Sequence, residues 1–283
     1  MAPRAVPTQR QRRLGHELRR MRLTAGMSAE QAANLLGVDR GKISNMESGV
    51  RSISEERLRT LAQRCHCDDD KYVTALVEMA SPRTSGRWEQ YRGSLPQGLL
   101  DIAELEWQSV HMRTSCTVHI PGLFQTTDYA LAVFRAVLPH LPEHEVTLRA
   151  AHRNHRQEVL ASETAPTFIG IVHEAALRMQ FGGPRVAREQ LRHLLDQSER
   201  AGRTVLVVPF TRGAFPGAGQ TVLYAEGPTE QLDTVQIDNS HGPDFLYGEA
   251  ELTKYRAHLD RMEELALSPD DSRAFIHSIA REL

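Results

Sequence analysis

The chain has 283 residues, a net charge of −2, 40% hydrophobic and 25% charged residues, enough for two globular domains of ordinary size. No apolar run approaches the roughly 20 residues that span a bilayer, and the basic N-terminus lacks the apolar core of a signal peptide, so the expectation is a cytoplasmic protein that does not enter a membrane. Three cysteines, Cys65, Cys67 and Cys116, are too few and too oddly spaced for a disulfide framework and fit a reducing compartment.

The near-neutral total hides a division. Residues 1–66 carry 13 Lys+Arg against 6 Asp+Glu, a balance of +7, and the rest carries 21 against 30, a balance of −9. A basic segment on a neutral chain points to a local polyanion site.

In chain order, residues 1–8 hold two prolines and no periodicity and read as a disordered arm. From Gln9 to Ala25 the recurrence of Leu14, Leu18, Met21 and Ala25 predicts a helix, stopped by Gly26. Ser28 caps a second helix, Ala29 to Leu36, ended by Gly37; Asp39 caps a third to about Ser48, ended by Gly49. Ser54 opens a fourth to about Cys65, and Asp68 to Asp70 begin a fifth that reaches Ala80. These predict an all-helical domain over 9–80. Residues 81–87 have the breaker composition of a linker. Beyond it the periodicity predicts a helix over 97–112, a short extended piece around Thr117 to Ile120, and helices over 126–138 and 143–160. Strands follow at Thr167 to Val172, Thr204 to Pro209, Thr221 to Ala225 and Thr234 to Ile237. The remaining expected helices are Pro184 to Ala201, Gly248 to Leu267 and Asp270 to Glu282. Residues 88–283 therefore read as a mixed α+β domain.

The strongest local signal is MSAEQAANLLGVDRGKISNMESGV, residues 27–50. A helix-turn-helix needs a small residue where its helices cross, here Ala33, and a turn that tolerates positive φ, here Gly37. Its inner faces need apolar residues, supplied by Ala32, Leu36, Val38, Ile43 and Met46. With Ile43 and Met46 turned inward, the opposite face of the third helix carries Arg40, Gly41, Ser44 and Asn45, with Lys42 at its edge. The N-terminal residues of a recognition helix meet base edges in the major groove of double-stranded DNA. Arg40 suits guanine, Asn45 suits adenine or a phosphate, and Gly41 permits close backbone approach. Phosphates are expected at the start of the second helix, on Ser28 and the Ala29 amide, and on Arg51, Arg10 and Arg13. A solvated helical face is the competing reading; the spacing, the turn glycine and the local charge together favour DNA.

Residues 14–66 resemble the phage-repressor-like (Xre/Cro) family, whose second motif helix ends in a pattern like Ile43-Ser44-Asn45-Met46-Glu47-Ser48-Gly49. The resemblance implies a lambda-repressor-like five-helix DNA-binding domain in which Arg22 and Glu47 form a structural ion pair. Three segments of the second domain, 120–134, 173–199 and 204–210, together with 255–273, resemble the C-terminal regulatory domain of the actinobacterial WhiJ-like or Scr1-type antitoxin-like regulators. Members usually carry two leucines after the Pro-Gly where this chain has Leu123-Phe124. The resemblance implies a regulator of development or secondary metabolism in a Streptomyces-like bacterium, nucleoid-associated, with a small acidic BldB-like partner encoded nearby. An antitoxin-like protein whose main task is binding that partner, with DNA binding for autoregulation, is the alternative. Because one helix-turn-helix reads a half-site, a homodimer on a pseudo-palindromic operator is expected.

The second domain offers little chemistry. Cys65-His66-Cys67-Asp68 lacks the second ligand pair of a zinc site. His152, His155 and Glu158 share a helix with Arg149, Arg153 and Arg156, which reads as a solvated basic face. Ser240 and His241 are adjacent and point apart, and no GxSxG, HExxH or phosphate-cradling loop occurs. Gly182-Gly183-Pro184 reads as a helix start after a turn. Phe124, Tyr129 and Phe134 read as core. No catalytic residue, metal or cofactor is expected.

Overall fold

In the computed structural model, residues 6–81, 86–216, 220–239 and 241–283 are described. Most of the expected arm and linker, and Ser240, lie outside them. The chain divides into two units: residues 1–86 with 228–232, and residues 87–227 with 233–283.

The first unit is helical: α1 (Gln9–Thr24), α2 (Ala29–Leu36), α3 (Arg40–Glu47), α4 (Glu55–Arg64) and α5 (Asp70–Ala80). Thr8, Ser28, Asp39, Ser54 and Asp69 each cap a helix by accepting a backbone N–H three residues on, which satisfies donors that a helix start leaves unpaired. Thr8 thus belongs to α1 and not to the arm. Helices this short are marginal alone; their stability comes from one shared core that includes Leu14, Leu18, Ala33, Ile43, Met46 and Leu58. Leu232 also sits in that core, and the Gln231 carbonyl accepts from Arg13 Nη2 at 2.6 Å. The segment 228–232 gives no sequence sign of belonging here, so the first unit extends beyond the expected 9–80.

The second unit runs α6 (Gln97–Gln108), β1 (His111–Cys116), α7 (Thr127–Arg135), α8 (Glu143–Arg156), β2 (Thr167–His173), α9 (Glu174–Arg178), α10 (Pro184–Ser198), β3 (Arg203–Val208), β4 (Val222–Glu226), β5 (Thr234–Asn239), β6 (Gly242–Leu246), α11 (Glu249–Leu265) and α12 (Pro269–Glu282). It is mixed α and β. Its sheet has the order β3-β2-β1-β4-β5-β6. The β1, β2 and β3 strands run parallel, and β4, β5 and β6 continue from β1 as antiparallel neighbours. Because side chains alternate across a strand, Met112, Phe168, Val205 and Leu223 face one core with residues of α10 and α12. Ile171, Val208, Tyr224 and Val235 face a second core with Leu252, Leu259 and Met262 of α11.

Two expectations fail around β1. The helix expected over 97–112 ends at Gln108, and the strand lies at 111–116, before the expected 117–120. A strand flanked on both sides normally reads as an apolar run, whereas β1 is HMRTSC. Its polar side chains are satisfied by neighbours: Arg113 pairs with Asp260 at 2.6 Å and Glu263 at 3.1 Å on α11, and Ser115 meets His258 at 3.3 Å. The α9 helix and the Gly-Pro-led edge strand β6 were likewise not expected.

Candidate nucleic-acid interface

Ala32, Ala33 and Leu36 of α2 and Ile43 and Met46 of α3 are buried. Gly37 turns the chain between the two helices at φ 62°, where a side chain would be strained. That orientation leaves Arg40, Gly41, Ser44 and Asn45 exposed on one side of α3 and Lys42 half-exposed. The Arg40 and Arg51 side chains have no hydrogen-bond or ion-pair partner among the described residues, so both remain available. Lys42 is less so: its Nζ lies 2.9 Å from Asp39, and the Lys42 hydrogen bonds hold the Asp39 carboxyl below the usual carboxylate range. An exposed pair of this kind is weak and can open to a phosphate or a base. Ser28 accepts from Gln31 N at 3.1 Å and still has its hydroxyl proton to donate. Ala29 opens α2, where helix amides point outward.

The recognition helix is seated on α1 by two glycines, Gly15, to which the sequence reading gave no role, and Gly49, which it took only as a helix stop. A Cβ on Gly15 would stand 2.4 Å from the Glu47 carbonyl oxygen, and one on Gly49 would stand 2.7 Å from the Gln11 backbone. Gly49 is also at φ 76°. Glu47 is tied down further: Arg22 Nε and Nη2 donate to its two oxygens at 2.6 and 3.0 Å, while Arg22 Nη1 donates to the Met27 carbonyl at 2.7 Å. Bidentate Arg–carboxylate geometry is the strong form of the pair. Gly15→Ala is therefore expected to lower the stability of the first unit by about 1–3 kcal/mol through overpacking. A lowered midpoint in denaturant unfolding monitors this, and an unchanged midpoint would refute the close approach.

Arg10 and Arg13 require correction. Arg13 is 2% exposed and Arg10 7%. Arg13 Nε lies 2.9 Å from Glu17, and Arg10 Nη2 donates to the Glu78 carbonyl at 2.5 Å. Side chains so enclosed and engaged cannot follow a DNA backbone; they hold α1 to the rest of the unit.

Residues 99–278 match the family described as Domain of unknown function (DUF5753). The chain belongs to the DUF5753 family. Residues 13–72 match a helix-turn-helix domain, which makes this DUF5753 protein a DNA-binding regulator. No curated protein matches the chain, and no solved structure does. Among the described residues, no helix is long and apolar enough to cross a membrane.

In the DUF5753 unit, the helix carrying His152, Arg153 and Arg156 is not the solvated basic face expected. His152 is 2% exposed; burial, then the nearby Arg156 and Arg153 charges, push its pKa down to about 3. Arg156 donates to both oxygens of Glu106 on α6. The buried stripe Val146, Ala150 of α8 continues into these polar residues at helical spacing, which the sequence reading took for the outer face. Phe124, Tyr129 and Phe134 are buried core residues. Gly182 and Gly183 adopt positive φ before Pro184 opens α10.

Proposed function

We propose that the chain is a sequence-specific transcriptional regulator of the Xre type. It reads base edges with Arg40, Gly41, Lys42, Ser44 and Asn45 and grips phosphates with Ser28, Ala29 and Arg51. The observation that carries this reading is the uncommitted, exposed Arg40 side chain at the first position of α3, where recognition helices meet the bases. The regulator works as a homodimer on a pseudo-palindromic operator and binds no cofactor and performs no catalysis. It is controlled through its DUF5753 unit by a small ligand or partner protein, as the resemblance to WhiJ-like and Scr1-type regulators suggests.

The test is selection of genomic duplexes by the full chain, followed by titration of the recovered site and a scrambled one. Arg40→Ala is expected to narrow the difference between the two by about 1–3 kcal/mol, and Arg51→Ala to weaken both alike and flatten the salt dependence. An Arg40→Ala protein that discriminates as well as the parent would overturn the base-reading assignment. A stoichiometric small protein that stays bound through purification at high salt would favour the antitoxin-like reading.

A further inference from the structure

A cavity of about 90 Å³ lies within the DUF5753 unit, over the sheet face that packs on α10 and α12. Its floor is polar where a core is normally apolar: Thr114 and Cys116 of β1, and Gln236 and Asp238 of β5. Its roof is α6 and α8, with Glu106, Arg153 and Arg156. The floor sits at the carboxyl end of β1, the strand from which β2 pairs to one side and β4 to the other.

The charges in the cavity are not equally committed. Arg156 is neutralised by Glu106, to which it donates two bonds, one of them 2.8 Å long. Arg153 has no carboxylate within ion-pair distance among the described residues. Its Nη1 donates to Gln125 Oε1 at 2.6 Å, its guanidinium lies over the Phe134 ring at 4.2 Å, and its Nε is buried without a hydrogen-bond partner among the described residues. A guanidinium in such a place is costly unless an anion completes it; the enclosure and the Arg156 charge push its pKa down to about 10, against the smaller opposing pull of the Asp238 and Glu106 charges. Asp238 stands across the cavity; among the described residues only the Gln236 amide donates to its side chain, at 2.7 Å, so it can accept a further donor. The intervening wall, Leu99, Ile102, Leu123 and Phe168, is apolar. The polar groups are already oriented: Gln125 Nε2 is held by the Ile120 carbonyl at 2.7 Å and Thr114 by the Val222 carbonyl at 2.8 Å.

We propose that this cavity binds a small hydroxy- or amino-carboxylate, its carboxylate on Arg153, its hydroxyl or ammonium on Asp238, and its short carbon chain against Leu99, Ile102 and Phe168. As a regulatory site it rests on the reading of the second unit as an effector domain; as a binding site it rests on the cavity alone.

The test is calorimetric titration of the full chain with 3-hydroxybutyrate, 4-aminobutyrate and butyrate, with butan-1-ol as the neutral control. The two bifunctional carboxylates are expected to bind saturably, butyrate more weakly and butan-1-ol not at all. Arg153→Gln is expected to weaken binding at least about tenfold, the scale of one charge-assisted contact, and Asp238→Asn to erase the advantage over butyrate. Leu99→Trp, which fills the cavity and leaves the guanidinium in place, keeps the question open to decision should Arg153→Gln fail to fold. No saturable binding of either bifunctional probe, equal binding of butan-1-ol, or binding indifferent to both Arg153→Gln and Leu99→Trp overturns the site. Binding that leaves affinity for the selected duplex unchanged overturns effector control and leaves the site standing.

Discussion

Glu17→Leu lowers the stability of the helical unit by about 3–5 kcal/mol, the cost of stranding a buried charge. Glu17 has no exposed surface. Arg13 Nε lies 2.9 Å from one oxygen, Arg20 Nη2 lies 2.7 Å from the other, and the Tyr72 hydroxyl donates to it at 2.6 Å. The phenol stays protonated far into the alkaline range, because burial first and the Glu17 charge second raise its pKa. This cluster joins α1 to α5, so its loss loosens the platform on which α3 rests. The substitution strands Arg13, which is itself 2% exposed. Arg13→Met combined with Glu17→Leu should therefore recover much of the loss, since replacing both members of a buried pair is far cheaper than replacing one. Denaturant unfolding of the two proteins measures it; equal stability of single and double variants would show that the ion cluster does not act as a pair.

The second large effect is acid sensitivity of the DUF5753 unit. His152 folds with its pKa near 3, against about 6.5 for an unfolded imidazole. Above about pH 6.5 both states hold it neutral and stability does not change. As pH falls below that value the unfolded chain takes up the proton first, and each further unit removes about 1.4 kcal/mol until the folded imidazole itself titrates. By pH 5 His152 alone accounts for roughly 2 kcal/mol. His119, His173, His193 and His258 are shifted the same way, chiefly by burial, and steepen the slope. Thermal unfolding between pH 5 and 7 should show a falling midpoint, and His152→Gln should flatten that fall. A midpoint that stays level over this range would mean the imidazole finds a counter-charge on protonation.

How much of this was legible depended on how many jobs each residue does. Helix α3 was readable because Asp39, Ile43, Met46 and Gly49 each mark one thing: a cap, two core positions, a stop. Arg13 was misread because an arginine in a basic segment looks like a surface residue, and the sign that it is not is the lone acid Glu17 four positions on, within an otherwise basic helix. Arg153 and Arg156 were misread for the converse reason: a polar inner face built around a cavity has the same periodicity as a solvated face. Gly15 carried no local signal, since its partner, the Glu47 carbonyl, is distant in sequence. Strand β1 was hidden by polar residues whose partners, Asp260 and His258, lie more than a hundred positions away.

The placement of Leu232 in the core of the helical unit has a consequence for dissection. That unit is discontinuous: the polypeptide leaves it after residue 86, returns for residues 228–232, and leaves again. A gene truncated at residue 86 encodes a DNA reader whose core lacks one leucine and whose Arg13 lacks the Gln231 carbonyl. Such a fragment should melt lower than the same helices in the whole chain, and weak operator binding by it would report a gap in its interior before it reported anything about dimers. A faithful minimal reader needs those five residues restored, for instance through a short graft following α5.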